Sequence, residues 1–477
     1  MDKPQTDILT GFKLLIGGRL VAGDATMAVI NPATGAAFAE APRASQAQLE
    51  EAIAAAKRAF PAWAATPLEE RRTMLRSIAD RVEAASDELA PLLVRENGMP
   101  LANARIEVMV FAGKLRACAR KELSSRTIQV APGWQAEEVV RPLGVVAAIT
   151  AWNVPLILLG SKLGPALIVG NTVVAKPAPT TPLTALRIGE LVADLLPPGV
   201  LNIITDANDL GGALSSHPDV RLVSFTGSSA TGKKVVASGA ATMKRVIMEL
   251  GGNDPAIVLA DVDVPAVARI LFDSAFMNSG QACIATKRIY AHRAVHEALC
   301  AELGRLAREV RTGDGMQDGV ALGPLQNRTQ FERVKSLLAD AKAKATVVAE
   351  GAVPDGPGYF VPPTILKDVP EDSAIVTEEQ FGPVLPVLVF DDVEDAIARA
   401  NATFYGLAAS VFSGDAVKAR AIAARIEAGT VTVNKTIGFH ENLPFGGAKE
   451  SGLGVDGGQH AFAAYGQLHI IDGGPGR

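Results

Sequence analysis

The stretch from Pro142 to about Gly252 constrains the fold more than any other part of this 477-residue chain. Short apolar and β-branched runs alternate there with segments of helical pattern. The runs include "GVVAAIT", "NTVVAKP", "VLNIIT", "RLVSFTG" and "KRVIMELGG", and a helical segment is "LTALRIGELVADLLPPG". Short strands separated by helices are typical of parallel βαβ units. We therefore predict an α/β class with a Rossmann-like nucleotide-binding fold in this stretch.

A second alternating region starts near Asp254 and contains "PAIVLA", "TKRIYAH", "ATVVAEG" and "TVTVN". It predicts a separate α/β domain that meets the first near "ELGGNDP", where glycine and proline break the pattern. Between about Ser45 and Arg120, apolar residues recur at spacings of three and four. That periodicity predicts a helical region.

The interval 122–141 predicts an inserted hairpin, because "RTIQV" and "AEEVVRP" read as two short strands, and "GQLHIID" predicts a final strand. Unpaired strand edges of this kind suit assembly with another subunit. We expect a nucleotide-binding domain, a second α/β domain and a small β element. The nucleotide-binding domain is expected to cover residues 1–121 and 142–253, and the second α/β domain residues 254–447. The β element is expected to cover residues 122–141 and 448–477.

Composition excludes several classes of protein. The formal net charge is −5 and no basic run stands out, so nucleic acid is not an expected partner. Charges and a proline interrupt the N-terminus where a signal peptide needs an apolar core. Three cysteines do not make a disulfide framework. We therefore expect a cytoplasmic protein.

The uncharged segment 143–161 has the length of a membrane span. Asn153 and Pro155 interrupt its centre, and its flanks read as a strand, a turn and a helix. We interpret it as buried α/β core and expect no transmembrane helix and no membrane partner.

The segment "GSSATGKK" has the glycine and lysine spacing of a phosphate-binding P-loop. Lys234 occupies the position where a P-loop needs a serine or threonine hydroxyl to ligate magnesium. A P-loop phosphotransferase is therefore disfavoured. The start of the following helix can still receive a phosphate-bearing ligand such as a dinucleotide, although an ordinary strand-to-helix turn has the same pattern.

Cys283 has an unusual setting, because "FMNSGQAC" places polar residues and glycine in a segment that is otherwise apolar. Most isolated cysteines are inert buried thiols, and Cys118 and Cys300 lie on helical patterns that fit this reading. His292 and His296 share a helical spacing but have no third ligand nearby in the sequence. We expect no metal site.

Taken in order, six segments resemble the aldehyde dehydrogenase superfamily, and the resemblance spans nearly the whole chain. They are "TAWNVP", "FTGSSATG", "MELGGNDP", "NSGQAC", "EEQFGPV" and "PFGGAKESG". The interval between Glu249 and Cys283 also matches this family. The resemblance implies an NAD(P)-binding domain, a catalytic domain and an oligomerisation element over the ranges given above, assembled as a homodimer or homotetramer.

The resemblance assigns catalytic roles to four residues. Cys283 is the nucleophile that forms a thiohemiacetal and then a thioester, and a thiolate suits this step. The Asn153 amide is an oxyanion donor, and Glu249 is the base for hydrolysis. Lys162 corresponds to a lysine proposed to relay protons with an acid. In the family, the acid and the residue before it are more often glutamate and arginine, whereas this chain has Asp456 and Val455. The alternative is therefore that Lys162 only forms a structural ion pair.

The resemblance also assigns the cofactor contacts. It places Trp152, Lys176, Gly227, Ser228, Glu379 and Phe381 against a nicotinamide dinucleotide. Pro179 stands where many NAD-preferring relatives have a glutamate that binds the ribose hydroxyls. NAD is the expected cofactor, and NADP is left open.

Positions that line the substrate pocket in the family map to a largely apolar set without arginine. They are Val154, Leu158, Ser161, Met277, Ala282, Ile284, Ile437, Phe439 and Phe445. We expect a hydrophobic aliphatic or aromatic aldehyde as the small-molecule substrate. Alternatives are a semialdehyde oxidised by the same mechanism, an enzyme that releases acyl-coenzyme A, and a non-catalytic scaffold; Glu249 argues against the acylating reaction.

Overall fold

The computed structural model describes residues 8–123, 125–438, 440 and 442–475. Of the predicted site residues, Phe439 lies outside the described residues, as do 1–7, 124, 441 and 476–477 of the expected domain ranges.

The strands are β1 (Leu14–Ile16), β2 (Arg19–Val21), β3 (Ala25–Asn31), β4 (Ala36–Arg43), β5 (Arg126–Ala131), β6 (Trp134–Pro142), β7 (Val145–Ile149), β8 (Thr172–Lys176), β9 (Leu201–Ile203), β10 (Val220–Thr226), β11 (Arg245–Glu249), β12 (Pro255–Val258), β13 (Arg288–His292), β14 (Thr346–Glu350), β15 (Thr364–Lys367), β16 (Val384–Phe390), β17 (Ala408–Phe412), β18 (Thr430–Val433), β19 (Gly452–Leu453) and β20 (Gly466–Pro475).

The helices are α1 (Gln46–Ala65), α2 (Leu68–Ala84), α3 (Ser86–Asn97), α4 (Leu101–Arg120), α5 (Pro155–Val169), α6 (Leu183–Val192), α7 (Gly211–Ser216), α8 (Ser229–Gly239), α9 (Val264–Ala275), α10 (Arg293–Glu309), α11 (Arg328–Lys344), α12 (Ala374–Thr377), α13 (Val393–Asn401), α14 (Ala416–Ala423) and α15 (His460–Ala464).

The first sheet has the order β19-β11-β10-β7-β8-β9-β1-β2. Strands β7 to β11 are parallel, and β1, β2 and β19 add antiparallel edges. The chain runs outward from β7 through β8 to β9, then returns to the other side of β7 for β10 and β11. Ligands of such sheets bind beyond the carboxyl ends of the strands where this reversal occurs. The α/β class predicted from the sequence is confirmed.

Segment 143–161 is β7, a turn and the first part of α5. All five residues of β7 are buried, as expected for a parallel strand covered on both faces. Pro155 opens α5, and Gly170 ends it in the left-handed conformation at φ 105°. Across the described residues, no helix is long and apolar enough to cross a membrane.

Helices α1 to α4 form the helical region predicted from the periodicity between Ser45 and Arg120. Ser45 and Gln48 make a reciprocal capping box at the start of α1, which satisfies backbone groups that a helix start otherwise leaves unpaired. A buried carboxylate on α3 caps the start of α6. Glu96 accepts the backbone N–H groups of Leu183 and Thr184.

The second sheet has the order β14-β15-β16-β13-β12-β17-β18. All its pairings are parallel except that of β14 with β15. Strand β12 begins directly after the "GGND" segment that follows β11, so the two sheets are joined by a short connection at the carboxyl end of the first. This connection places residues of both sheets close to Glu249.

The third sheet is antiparallel, with the order β20-β6-β5. The hairpin and the final strand expected from the sequence are therefore present. Leu468, Ile470 and Ile471 on β20 are about half exposed. Residues Gly452 and Leu453 instead pair with β11 of the first sheet. The division into domains and the assembly role of this sheet stay predictions.

Candidate active site

The carboxyl ends of β7, β10 and β11 bring three predicted motifs together. Ile149 pairs with Phe225, and Thr226 pairs with Glu249, so these strands end side by side. The turn with Asn153 follows β7, the turn with Ser228 follows β10, and Glu249 ends β11. This is the reversal point of the sheet, where a ligand is expected.

Buried amides fix both the backbone and the side chain of Asn153. Its Nδ2 donates to the carbonyl of Gln281 at 3.0 Å. Its own carbonyl accepts from Nδ2 of Asn97 at 3.1 Å and of Asn278 at 2.9 Å. Asn97 Nδ2 also donates to the carbonyl of Trp152 at 2.8 Å. The Asn153 amide is therefore held next to the segment that carries Cys283.

The segment before Cys283 has a strained backbone. Asn278 and Ser279 adopt positive φ angles of 48° and 57°, which non-glycine residues seldom do. Gly280 follows at φ 77°, and a side chain there would collide with the carbonyl of Gly382. Such strain persists only where the surroundings enforce it, and it is common at functional sites.

Cys283 is partly buried, and burial raises the pKa of its thiol to about 12. The carboxyl groups of Glu379, Asp254 and Glu249 contribute to this increase in the pKa, and the ammonium of Lys287 opposes it. Because the thiolate is the reactive form, the charges around Cys283 control its reactivity.

Glu249 lies at the end of β11 and is 5% exposed. Within the described part of the chain, neither of its carboxylate oxygens has a hydrogen-bond partner. Burial raises its pKa well above the ordinary value, and Asp456 adds to this effect, while Lys162 opposes it. A carboxyl with a raised pKa in a buried site is suited to general base catalysis.

Lys162, on α5, is fully buried. Its Nζ donates to Ser224 Oγ at 3.1 Å, and the Tyr465 hydroxyl donates to the same oxygen at 2.8 Å. Burial lowers the pKa of Lys162, and the nearby carboxyl groups of Asp456 and Glu249 raise it. The structure thus brings the predicted lysine and acid close to the base, and their function as a proton relay remains a prediction.

The turn after β10 has the geometry of an anion site. Ser228 caps α8 by accepting the N–H of Thr231 at 3.3 Å. A side chain at Gly227 would meet the Phe225 ring at 2.5 Å, so the close turn requires glycine. Lys233 forms an ion pair with Glu450 at 2.7 Å. The N–H groups at the start of a helix such as α8 suit a phosphate-bearing ligand.

Threonines at or just after the carboxyl ends of β7, β8 and β10 have hydroxyl groups that a dinucleotide could bind. The hydroxyls of Thr150, Thr180 and Thr226 are buried and have no hydrogen-bond partner in the described residues. Buried polar atoms without partners are uncommon, and a polar ligand can satisfy them. Lys176 is buried at the end of β8 and binds Asp206 at 2.6 Å.

Glu379 and Phe381 lie in the segment between α12 and β16, which contacts the residues that follow β11. Glu379 Oε1 accepts the N–H of Gly252 at 3.0 Å, beside the end of β11. Phe381 has a positive φ of 50°, and its ring meets that of Trp152 edge to face at 5.4 Å. The predicted nicotinamide contacts are therefore neighbours of the Cys283 segment.

The predicted pocket residues that the structure describes fall into three sets. Ala282, Ile284, Ile437 and Phe445 pack together around Cys283 with Leu407. Val154, Leu158 and Ser161 lie at the start of α5, where Ser161 Oγ donates to the carbonyl of Ile157 at 2.9 Å. Met277 precedes the strained segment and is 36% exposed.

The histidines considered as metal ligands have structural partners. His292 Nδ1 accepts the N–H of Ala294 at the start of α10, and His296 lies against Cys300. Among the residues that the structure describes, no group of three or more histidine, cysteine, aspartate and glutamate side chains is arranged for a metal ion.

Sequence reasoning missed Asn97, Glu107 and Lys287. Glu107 is buried on α4 and accepts the N–H groups of Leu156 and Ile157, which holds the start of α5 just after Asn153. Burial raises its pKa to about 8. Asn97 and Glu107 bind segments that are about 50 residues away, so no local pattern signals them. Lys287 lies only four residues after Cys283, and this short interval is the one sequence signal that could have indicated a basic residue near the thiol.

Comparison with known proteins identifies the family. Residues 20–471 match the model of the aldehyde dehydrogenase family. The chain is 38% identical to the succinate-semialdehyde dehydrogenase [NADP(+)] of Escherichia coli, over 92% of each chain. It is 37% identical to the glutarate-semialdehyde dehydrogenase of Pseudomonas aeruginosa, over 94% of each chain.

The fold comparison agrees with the sequence comparison. The crystal structure of an E. coli NADP-dependent enzyme superposes with a TM-score of 0.94 at 36% identity, covering 97% of this chain and 98% of that one. These matches extend over nearly the full length of both chains, and their identities are well above the level at which only the fold is shared. The chain belongs to the aldehyde dehydrogenase family and is an NAD(P)-dependent aldehyde dehydrogenase.

Proposed function

We propose that this enzyme oxidises a hydrophobic aliphatic or aromatic aldehyde to the carboxylic acid through a thioester on Cys283. The observation that carries the proposal is the hydrogen bond from the Asn153 amide to the carbonyl of Gln281. It fixes a donor beside Cys283 before any substrate arrives, and Glu249 lies in the same crevice with both oxygens available.

In the first step the Cys283 thiolate attacks the aldehyde carbon, forming a carbon–sulfur bond and a negative oxygen. The Asn153 amide and the Cys283 backbone N–H stabilise this oxygen in the thiohemiacetal. Donors that are already oriented stabilise the transition state more than mobile ones, because they need no reorganisation during the reaction. The buried amides of Asn97 and Asn278 provide that orientation.

A bound nicotinamide dinucleotide would supply the hydride acceptor for this oxidation. The start of α8 with Gly227 and Ser228 would hold its phosphate groups, and Glu379 and Phe381 would orient its nicotinamide end. The loss of hydride leaves an acyl thioester on Cys283.

Glu249 then takes a proton from water, and the resulting hydroxide attacks the thioester carbon. The carbon–sulfur bond breaks, releasing the acid and the Cys283 thiolate. Lys162 and Asp456 are proposed to accept the proton from Glu249 and to pass it on. Product that forms only in the presence of coenzyme A, as a thioester, would contradict this hydrolytic step.

The substrate preference rests on the apolar side chains next to the thiol. Ala282, Ile284, Ile437 and Phe445 pack around Cys283, and the predicted pocket set contains no arginine to hold a second carboxylate. The named relatives oxidise semialdehydes, so a semialdehyde is the alternative substrate. A panel of a medium-chain aldehyde, benzaldehyde and succinic semialdehyde tests this, and a higher kcat/KM for the semialdehyde would reject the preference.

NAD is the proposed cofactor because the charge of Lys176 is already balanced. Its ammonium is buried against the Asp206 carboxylate, which leaves less positive charge for the 2′-phosphate of NADP. The ratio of kcat/KM for NAD and NADP measures this preference. A ratio in favour of NADP would reject it.

The small antiparallel sheet of β5, β6 and β20 is proposed to join subunits as a homodimer or homotetramer. Its half-exposed Leu468, Ile470 and Ile471 are apolar side chains that a second copy would cover. Sedimentation of the intact protein measures the assembly.

The central test follows absorbance at 340 nm with an aldehyde panel and either cofactor. Wild type is expected to form reduced cofactor, and Cys283→Ala is expected to lose activity by about 10⁴-fold or more. Cys300→Ala is the matched control, because that thiol lies on α10 away from the site. Equal activity of Cys283→Ala and wild type would refute the catalytic assignment.

A further inference from the structure

Lys287 has a side chain that the reaction described above does not use. It lies four residues after Cys283, just before β13, and is 1% exposed. Its backbone is fixed from both sides, because its N–H donates to the carbonyl of Asp254 and its carbonyl accepts from Nε2 of Gln380. Such anchoring leaves the side chain little freedom of direction.

The ammonium of Lys287 binds the segment that carries the thiol. Nζ donates to the carbonyl of Ala282 at 2.5 Å and to that of Gly280 at 3.3 Å. The carbonyl between them belongs to Gln281 and accepts the Asn153 amide. Three consecutive carbonyls are thus each held by a side-chain donor, immediately before Cys283.

The charge of Lys287 is buried among acidic groups. Burial lowers its pKa, and the carboxyl groups of Glu379 and Asp254 and the thiol of Cys283 raise it. Its Nζ also lies 5.4 Å from the centre of the Phe381 ring, a distance at which a cation is attracted to an aromatic face. A buried ammonium is costly unless such groups compensate it.

The charged groups that face the thiol have opposite effects on its ionisation. Glu379, Asp254 and Glu249 disfavour the thiolate, whereas Lys287 favours it. A nearby cation is a general means of activating a cysteine.

We propose that Lys287 is a positioning residue that holds the nucleophile segment by two carbonyls and places a positive charge where it favours the Cys283 thiolate. The inference rests on the proposed nucleophile role of Cys283. It adds a residue that acts on the thiol through its charge and through the backbone.

Alkylation of Cys283 by iodoacetamide tests the proposal without aldehyde or cofactor. The rate is followed at pH 7 by mass spectrometry of the peptide that contains Cys283, which separates it from Cys118 and Cys300. Lys287→Met is expected to slow alkylation by about tenfold or more, since a change of one pKa unit alters the thiolate fraction tenfold. Lys335→Met, at an exposed lysine on α11, is the matched control and should react at the wild-type rate.

Two further variants separate charge from folding. Lys287→Arg keeps the charge and is expected to restore the rate to within about threefold of wild type, a change of less than one pKa unit. Lys287→Gln keeps a donor for the carbonyls without the charge, and it should be slowed like Lys287→Met. Circular dichroism and unchanged alkylation of Cys118 confirm that each variant is folded.

Wild-type alkylation rates in folded Lys287→Met or Lys287→Gln would overturn the proposal. Slowing by Lys287→Arg to the level of Lys287→Gln would also overturn it, because the charge would then have no part in the effect. The 340 nm assay with Cys283→Ala tests the proposed function separately, so the two failures are distinguishable.

Discussion

The segment that carries the proposed nucleophile Cys283 and the carboxyl group of the proposed base Glu249 are held in different ways. The carbonyls of Gly280, Gln281 and Ala282 each accept a hydrogen bond from a buried side chain. Glu249 ends a buried strand, but its two carboxylate oxygens have no partner among residues 8–123, 125–438, 440 and 442–475. One side of the crevice is fixed by hydrogen bonds, and the other has a carboxyl group that is free to accept one.

The difference fits the two halves of the proposed reaction, which are formation of the thioester on Cys283 and its hydrolysis. Oxyanion stabilisation depends on donors that do not move, so the backbone near Cys283 and Asn153 is fixed in advance. A general base must bind water, take a proton and then release it, so a carboxylate fully occupied by protein donors would be inactive. Burial of Glu249 also raises its affinity for the proton.

Replacing the proposed base Glu249 should have the largest effect of these variants, and the effect should be confined to hydrolysis of the thioester. Glu249→Gln keeps the size of the side chain and loses the basic oxygen, so steady-state turnover is expected to fall about 10²–10⁴-fold. Stopped-flow absorbance at 340 nm should still show a burst of about one reduced cofactor per Cys283. Absence of the burst would mean that Glu249 acts before hydride transfer, and the comparison would fail.

Removing the proposed oxyanion donor, the Asn153 amide, should impair formation of the thiohemiacetal and thioester. Asn153→Ala is expected to lower the rate of the burst itself about 10²–10³-fold, because the negative oxygen loses a fixed donor. Single-turnover kinetics with excess enzyme measures this step. A normal burst followed by slow steady-state turnover would mean that Asn153 acts in hydrolysis, as proposed for Glu249. The proposed difference between the two residues would then be wrong.

The pH dependence should also distinguish the two sides. The pKa of Glu249 is raised by burial and by Asp456, so hydrolysis is expected to increase as pH rises through that pKa. Lys162→Met removes the charge that lowers the pKa of Glu249, so the acidic limb of kcat should move to higher pH by about one unit or more, a change of about tenfold in rate. An acidic limb that moves to lower pH would show that Lys162 acts in another way.

The last prediction concerns stability instead of catalysis, at Glu107, which holds the start of α5 just after Asn153. Burial raises the pKa of Glu107 to about 8, so the folded state retains a proton that the unfolded chain loses near pH 4.3, roughly the reference value. This contribution to stability is present below that pH and is lost as pH rises toward 8.

Glu107→Gln keeps an acceptor for Leu156 and Ile157 and removes the titration. The variant should therefore flatten the decline of unfolding free energy between pH 5 and 8 by about 3–4 kcal/mol, because the folded state binds one more proton than the unfolded chain over most of that range. Urea unfolding at several pH values measures this dependence. If the unfolding free energy of the variant declines with pH as steeply as that of wild type, Glu107 is not the group that titrates. Glu96, with a pKa raised to about 7 by burial, contributes in the same direction and provides a comparison variant.

Much of the fold was predictable because its patterns are local. The buried runs that became β7, β8, β10 and β11 alternate with helical periodicity, and proline and glycine mark the ends of α5. The family was predictable because its motifs are short and keep their order along the chain. The roles of Cys283, Glu249 and Asn153 follow from those motifs and stay predictions.

The supporting residues were not predictable in the same way. Asn97 binds residues 152 and 153, and Glu107 binds the start of α5, across long intervals of sequence. A buried amide or carboxylate on a helix has no local signature of the backbone groups that it will meet. Only the packing of α4 against α5, and of α3 against α4 and α6, brings these partners together.

The sequence by itself determined the α/β class, the family and the chemical types of the site residues, because periodicity and short motifs are properties of neighbouring residues. The tertiary structure decided which groups surround each of them. The pKa of Glu249 depends on Asp456 and Lys162, and that of Cys283 on Glu379 and Lys287. These effects depend on distance and burial, which exist only after the two sheets and the C-terminal segment have packed together.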